Sequence, residues 1–117
     1  MLDEAILTTA LAMATDAGAA YAEVRGEEGR STYVAARDGA VENVKAQTES
    51  GWGIRVAVPE GGWGFAATAQ WDAAGAAAAA KLAVEIARAS ATTTSVPLAL
   101  DALPTASGTY ATTFQRD

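Results

Sequence analysis

The side chains with most chemical potential in this sequence are carboxylates: Glu23, Glu27, Glu28, Asp38 and Glu42. Paired carboxylates perform acid–base work when burial drives their pKa values apart, and clusters of them hold metal ions. Here they alternate with Arg25, Arg30, Arg37 and Lys45 on strand-like stretches. Cross-strand charge pairing on a solvated face therefore accounts for them. The chain has no histidine and no cysteine. A Ser-His-Asp or Cys-His mechanism is thereby excluded within it, and so are the residues from which zinc sites are mainly built. None of the glycine-rich stretches leads from a strand into a helix with the lysine that a phosphate loop needs. Arg55 stands out because it projects from a glycine-bearing strand, where it could meet a carboxylate or the carbonyls of a peptide; as a bare strand arginine it would simply be exposed. The 14 acidic and 8 basic residues give a net charge of −6, which argues against a nucleic-acid partner.

The element that must position these groups is the stretch 51–68, G-W-G-I-R-V-A-V-P-E-G-G-W-G-F-A-A-T. Trp52, Ile54, Val56 and Val58 alternate onto one face of a strand, with Gly53, Arg55 and Ala57 on the other. Pro59-Glu60-Gly61-Gly62 supplies the fixed φ and the positive-φ positions of a tight reversal. The return strand places Trp63, Phe65 and Ala67 on one face and Gly64 and Ala66 on the other. This reads as the central hairpin of a half-buried antiparallel sheet, with Trp52 and Trp63 as core anchors or one of them at an interface. The glycines opposite the aromatics form a side-chain-free strip that a helix or an extended peptide could approach, and the residues do not choose between them.

Around this hairpin the chain reads as an α+β domain. Residues 3–17 carry an amphipathic helical stripe (Ile6, Ala10, Met13, Ala17), with Gly18 placed to close the helix. Residues 20–28 and 31–37 are strand-like, and Asp38-Gly39 is a strong hairpin signal before a return strand over 40–47. With the central hairpin this predicts a meander of about five strands. Asp72 caps a second, alanine-rich helix over 73–91, on which Leu82 and Ile86 share a face with Gly75 and Ala79. Val96–Leu100 could form an edge strand. One domain over residues 1–100, and a connector over 101–117 towards something further, is the expected organisation. An acidic start without a signal-peptide pattern, and no apolar run long enough to span a bilayer, give a cytoplasmic, membrane-free expectation.

Taken together, Gly18-Ala19-Ala20-Tyr21-Ala22-Glu23-Val24-Arg25, Arg37-Asp38-Gly39-Ala40-Val41-Glu42, Gly51-Trp52-Gly53-Ile54-Arg55-Val56 and Gly62-Trp63-Gly64-Phe65-Ala66-Ala67-Thr68, followed by an alanine-rich helix, form a pattern. It resembles the N-terminal domain of the TldD/PmbA family, also labelled modulator of DNA gyrase, and the TldD-type subunit in particular. The resemblance implies a zinc-dependent peptidase of paired TldD-like and PmbA-like chains acting on unfolded or extended peptides. The family's metal motif, His-Glu-x-x-x-His with a later cysteine, has no counterpart here. The implied role is therefore non-catalytic: no cofactor in this chain, zinc in the full-length protein, and a domain serving subunit assembly and walling of the substrate cavity. Its partners would be a PmbA-like subunit or a second copy, with Trp52, Arg55, Trp63, Gly64 and Phe65 as candidate interface or peptide-contact residues. A free-standing peptide-binding module using the glycine-lined hairpin is the alternative. Trp63→Ala or Gly64→Val is expected to harm folding or association more than Arg37→Ala.

Overall fold

A computed structural model describes residues 2–114. Helix α1 (Glu4–Asp16) opens on Asp3, whose carboxylate accepts hydrogen bonds from the N–H groups of Ala5 and Ile6 at 3.0 and 3.4 Å. It ends on Gly18, whose φ of +107° lets Gly18 N–H reach Thr15 O and Ala19 N–H reach Ala14 O, both at 3.0 Å. That pair of bonds is a Schellman closure, and it turns the chain directly into the sheet. Strands β1 (Tyr21–Arg37), β2 (Ala40–Ala57) and β3 (Trp63–Thr68) form one antiparallel sheet in the order β1-β2-β3. Helix α2 (Ala73–Ala91) follows, with Asp72 Oδ1 accepting from Gly75 N–H at 2.7 Å.

The five-strand meander is corrected to three strands. Gly29-Arg30 does not divide β1, because Gly29 pairs with Glu49 and Arg30 with Thr48 without interruption. The polar Thr48-Glu49-Ser50 stretch is strand for the same reason, its polarity reflecting exposure rather than a loop. Asp38 (φ +50°) and Gly39 (φ +78°) do form the tight hairpin turn. Val96–Leu100 is not a strand; one bond, Leu98 N–H to Pro59 O at 2.9 Å, ties it to the turn between β2 and β3.

Both helices lie on one face of the sheet. Trp52, Ile54, Val56 and Val58 of the β2 end meet Ala10 and Ala14 of α1 and the small face of α2: Ala76, Ala80, Ala83, Val84 and Ala87. The core is accordingly thin: apart from Trp52, its buried side chains among the described residues are isoleucine, valine and alanine. The glycine strip of β3 explains how it closes. A Cβ built on Gly64 would stand 1.9 Å from Ala83 O, and one on Gly62 would stand 1.9 Å from Ala87 O. The approaching partner left open by the sequence is α2. Its placement also overturns the expected helix face: Leu82 and Ile86 are largely exposed. Only alanine and glycine permit so close an approach, so the larger side chains turn to the rim.

Candidate functional site

The opposite face of the sheet carries no helix. Odd-numbered residues of β2 and β3 project there with the odd residues of β1, since Glu23 pairs with Arg55 and Arg55 with Phe65. Three of the five candidate residues, Arg55, Trp63 and Phe65, are brought together on this open face. Trp52 and Gly64 are not: both lie on the helix-covered side. Trp63 is thus no core anchor. It is 38% exposed and Phe65 59% exposed, because β3 gives its core side to the glycines that admit α2.

Arg55 is the hub of the open face. Its Nη2 lies 2.6 Å from Glu23 Oε1, and its guanidinium carbon lies 5.6 Å from the Trp63 ring centre. Tyr21 completes the cluster. Its hydroxyl donates to Glu23 Oε2 at 2.5 Å, and its ring stands 5.8 Å from Trp63 at an interplanar angle of 60°. The bond to Glu23 raises the Tyr21 pKa above its ordinary 10.0, helped by partial desolvation and by the carboxylate's charge, while Arg55 opposes the rise. Glu23 is therefore shared between a phenol and a guanidinium, an arrangement that fixes orientation. All four groups are solvent-accessible, so the salt bridge itself adds little stability.

The tip of the Phe65 ring lies over Gly53, where a Cβ would stand 2.8 Å from it. Between Phe65 and the β1 pair Arg25–Glu27 (2.7 Å) runs a shallow groove floored by Gly51 and Gly53. On the far side of the sheet, Trp52 Nε1 donates to Gln70 O at 2.8 Å and its ring stands 6.4 Å from Trp71. That bond ties the connection between β3 and α2 to β2, which is a structural task. Among the described residues no three carboxylates converge as metal ligands. Glu23, Glu27 and Glu42 instead face Arg55, Arg25 and Arg37.

Sequence reasoning missed Tyr21 and the pairing of Glu23 with Arg55. The Asp38-Gly39 turn alone pairs Arg37 with Ala40 and Ala36 with Val41, and extending that register would set Glu23 opposite Ile54. A bulge in β2 opposite the step from Ala35 to Ala36 leaves Glu42 out of the ladder and shifts the register by one. Glu23 then faces Arg55, and Val24 faces Ile54 on the core side.

No helix among the described residues is long and apolar enough to cross a membrane. Among curated proteins the chain finds no match. Residues 22–87 match the family model for PmbA/TldA metallopeptidase domain 1, from the first residues of β1 to the last buried alanine of α2. The matched segment is more than half of the 117 residues and holds the sheet from Ala22 onward and most of α2. This chain belongs to the PmbA/TldD metallopeptidase family and carries the family's first domain.

Proposed function

We propose that the chain serves as the non-catalytic first domain of a TldD/PmbA-like zinc metallopeptidase that processes or degrades unfolded peptides. Its task is subunit assembly and the walling of the substrate cavity. The observation that carries this reading is the open sheet face. Trp63, Phe65 and Tyr21 are presented there beside Arg55 without any covering element, and aromatic residues with arginine are the side chains that dominate protein interfaces. Zinc does not fit this chain's own residues. It has no His or Cys, and Glu23, Glu27 and Glu42 on the sheet are engaged by arginines. The chain's contribution is thus to bind and to orient. Residues 101–117, in this reading, connect the domain to a catalytic region.

The alternative, a free-standing module that seats a peptide on glycines, has lost most of its seat. Gly62 and Gly64 are filled by α2, and Gly53 by Phe65. The two readings separate in a binding experiment with a PmbA-type subunit and, in parallel, a panel of extended peptides. The proposed function expects a complex with the subunit that Arg55→Ala and Phe65→Ala each weaken at least about tenfold, as hot-spot truncations do. Peptide binding without subunit binding would overturn it. The isolated chain is expected to cleave no peptide with or without zinc, and zinc-dependent cleavage would likewise refute the assignment.

A further inference from the structure

The β1–β2 ribbon changes character over four consecutive pairs: Gly26–Trp52, Glu27–Gly51, Glu28–Ser50 and Gly29–Glu49. Three of these eight residues are glycine, whereas the pairs from Arg30–Thr48 to Ala35–Asn43 contain none. The sheet also narrows here. Trp52–Thr68 is the last pair between β2 and β3, so the ribbon runs on as two strands. Helix cover ends at the same place: Trp71, Leu2 and Leu7 still fill the space over Gly26, while a Cβ on Gly29 would meet nothing within 4 Å. Both faces are hollow there. The groove over Gly51 and Gly53 has a volume of about 760 Å³, and on the other face a hollow of about 710 Å³ opens beside Leu2, Gly26 and Ser50. A strand resists bending through the side chains packed on its faces. Glycine supplies none and widens the range of the backbone.

We propose that these four pairs are a hinge, about which the far part of the ribbon swings out of the plane of the sheet as one arm. The ladder runs through all four pairs, so the motion is a bend and not an unpairing. On the near side Tyr21, Glu23, Arg55 and Trp63 stay with the packed body, because their pairs lie in the three-stranded part. Beyond the hinge, Tyr33 pairs with Lys45 and Val34 with Val44, and Arg37 Nε lies 3.6 Å from Glu42 Oε1 beside the turn. Cross-strand pairs of β-branched and aromatic residues stiffen that part of the ribbon. Eight residue steps from Gly29 to Arg37 give an arm of about 26 Å, so each 10° of bend carries the turn through roughly 5 Å. Such an arm adjusts a distant contact while the core and the Arg55 cluster keep their geometry.

The chain has no cysteine, so paired cysteine variants take spin labels at the chosen sites alone. Three pairs of exposed residues serve in double electron–electron resonance. Val41→Cys with Lys81→Cys spans the hinge, Ala12→Cys with Lys81→Cys lies within the body, and Arg30→Cys with Val41→Cys lies within the arm. The hinge-spanning distance distribution should be at least about twice as broad as the other two, since a hinge concentrates the backbone change in a few residues. Gly29→Val puts a β-branched side chain into open space and should narrow that distribution; Gly29→Val with Gly51→Ala should narrow it by about half. Circular dichroism of Gly29→Val should match the parent, so the single variant decides even where the double one folds poorly. A hinge-spanning distribution as narrow as the body pair's, equal breadth within the arm, or a width that Gly29→Val leaves unchanged would each show that no hinge operates here.

Discussion

Gly64→Ala adds one methyl group to a strand whose partner helix leaves no room for it. The new Cβ would lie 1.9 Å from Ala83 O, 2.6 Å from Ala87 N and 3.0 Å from Ala83 C. All three are backbone atoms of a continuous helix, so no side-chain rotation relieves the overlap. Ordinary contact begins near 3.4 Å, which means α2 must lift from β3 by roughly 1.5 Å along that direction. A gap of even 0.5–1 Å forfeits about a quarter to a half of each dispersion contact it opens. The lift opens the whole seam formed by Ala76, Ala79, Ala80, Ala83, Val84 and Ala87. Those small residues have no slack with which to refill it. Overpacking typically costs about 1–3 kcal/mol, and a rigid backbone obstacle belongs at or above the upper end. About 3 kcal/mol is a large share of the 5–15 kcal/mol that holds a typical domain together. For a domain of this size it corresponds to a fall of roughly 10–20 °C in Tm.

The assay is a paired thermal and urea melt followed by far-UV circular dichroism, with Gly29→Ala as the matched control. Gly29 is also a strand glycine, and a Cβ there meets nothing within 4 Å. Gly29→Ala should stay within about 0.5 kcal/mol of the parent, as surface substitutions do. If Gly64→Ala melts with the parent, or if both alanines cost the same, then helix–strand contact at the glycines is not what closes this core. The reasoning about α2 would then fail with it.

Three further outcomes follow from the same geometry. Trp52→Ala should cost about 3–5 kcal/mol in urea melts, the range for a buried large aromatic, and Trp63→Ala clearly less, since Trp63 is partly exposed and meets only the open face; equal losses would return Trp63 to the core. Glu23→Gln should move the Tyr21 phenol to a lower pKa in an absorbance titration, because the bond to the carboxylate is the main cause of its rise. The sign follows from a folded-state pKa above the unfolded one: the Tyr21–Glu23 contribution is present below about pH 10 and lost as pH climbs through the raised value, so Glu23→Gln should flatten alkaline unfolding above pH 10. An unchanged titration would show that the bond does not form in solution. Deleting Glu42 should leave a native-like far-UV signal and a melt close to the parent's, because it removes the one residue outside the ladder and every pair, Val24–Ile54 included, stays in place; loss of the fold on deletion would refute the assigned register.

How much of this was legible follows from which interactions are local. The helix ends were written in short-range chemistry: Asp3 and Asp72 as caps, Gly18 as the left-handed closure, Asp38-Gly39 as the turn. Alternation over Trp52–Val58 gave the core face of β2 correctly, because period two needs no knowledge of the partner. The same rule failed on β3. Its aromatic side looked like the core side, and by residue type it should be, yet a glycine strip can be preferred as the buried face when a helix backbone is the neighbour. That choice is made by the fit between Gly62, Gly64 and the alanines of α2, some twenty residues further along, and no window of local sequence contains it.

The open face shows the same limit more sharply. Glu23, Arg55 and Trp63 were each singled out and Tyr21 was not, and the meeting of all four depends on a single residue, Glu42, standing outside the ladder far from them. A bulge has little compositional signature, so one unpaired residue near the turn decided which side chains at the base of the ribbon oppose each other. The register that sets Val24 against Ile54 in the core is the one that sets Glu23 against Arg55 on the face. Core packing and the open-face cluster are therefore not independent features. The register that closes the core at one end of the ribbon also fixes the charge pair, and with it the orientation of Tyr21 and Trp63, on the open face of the sheet.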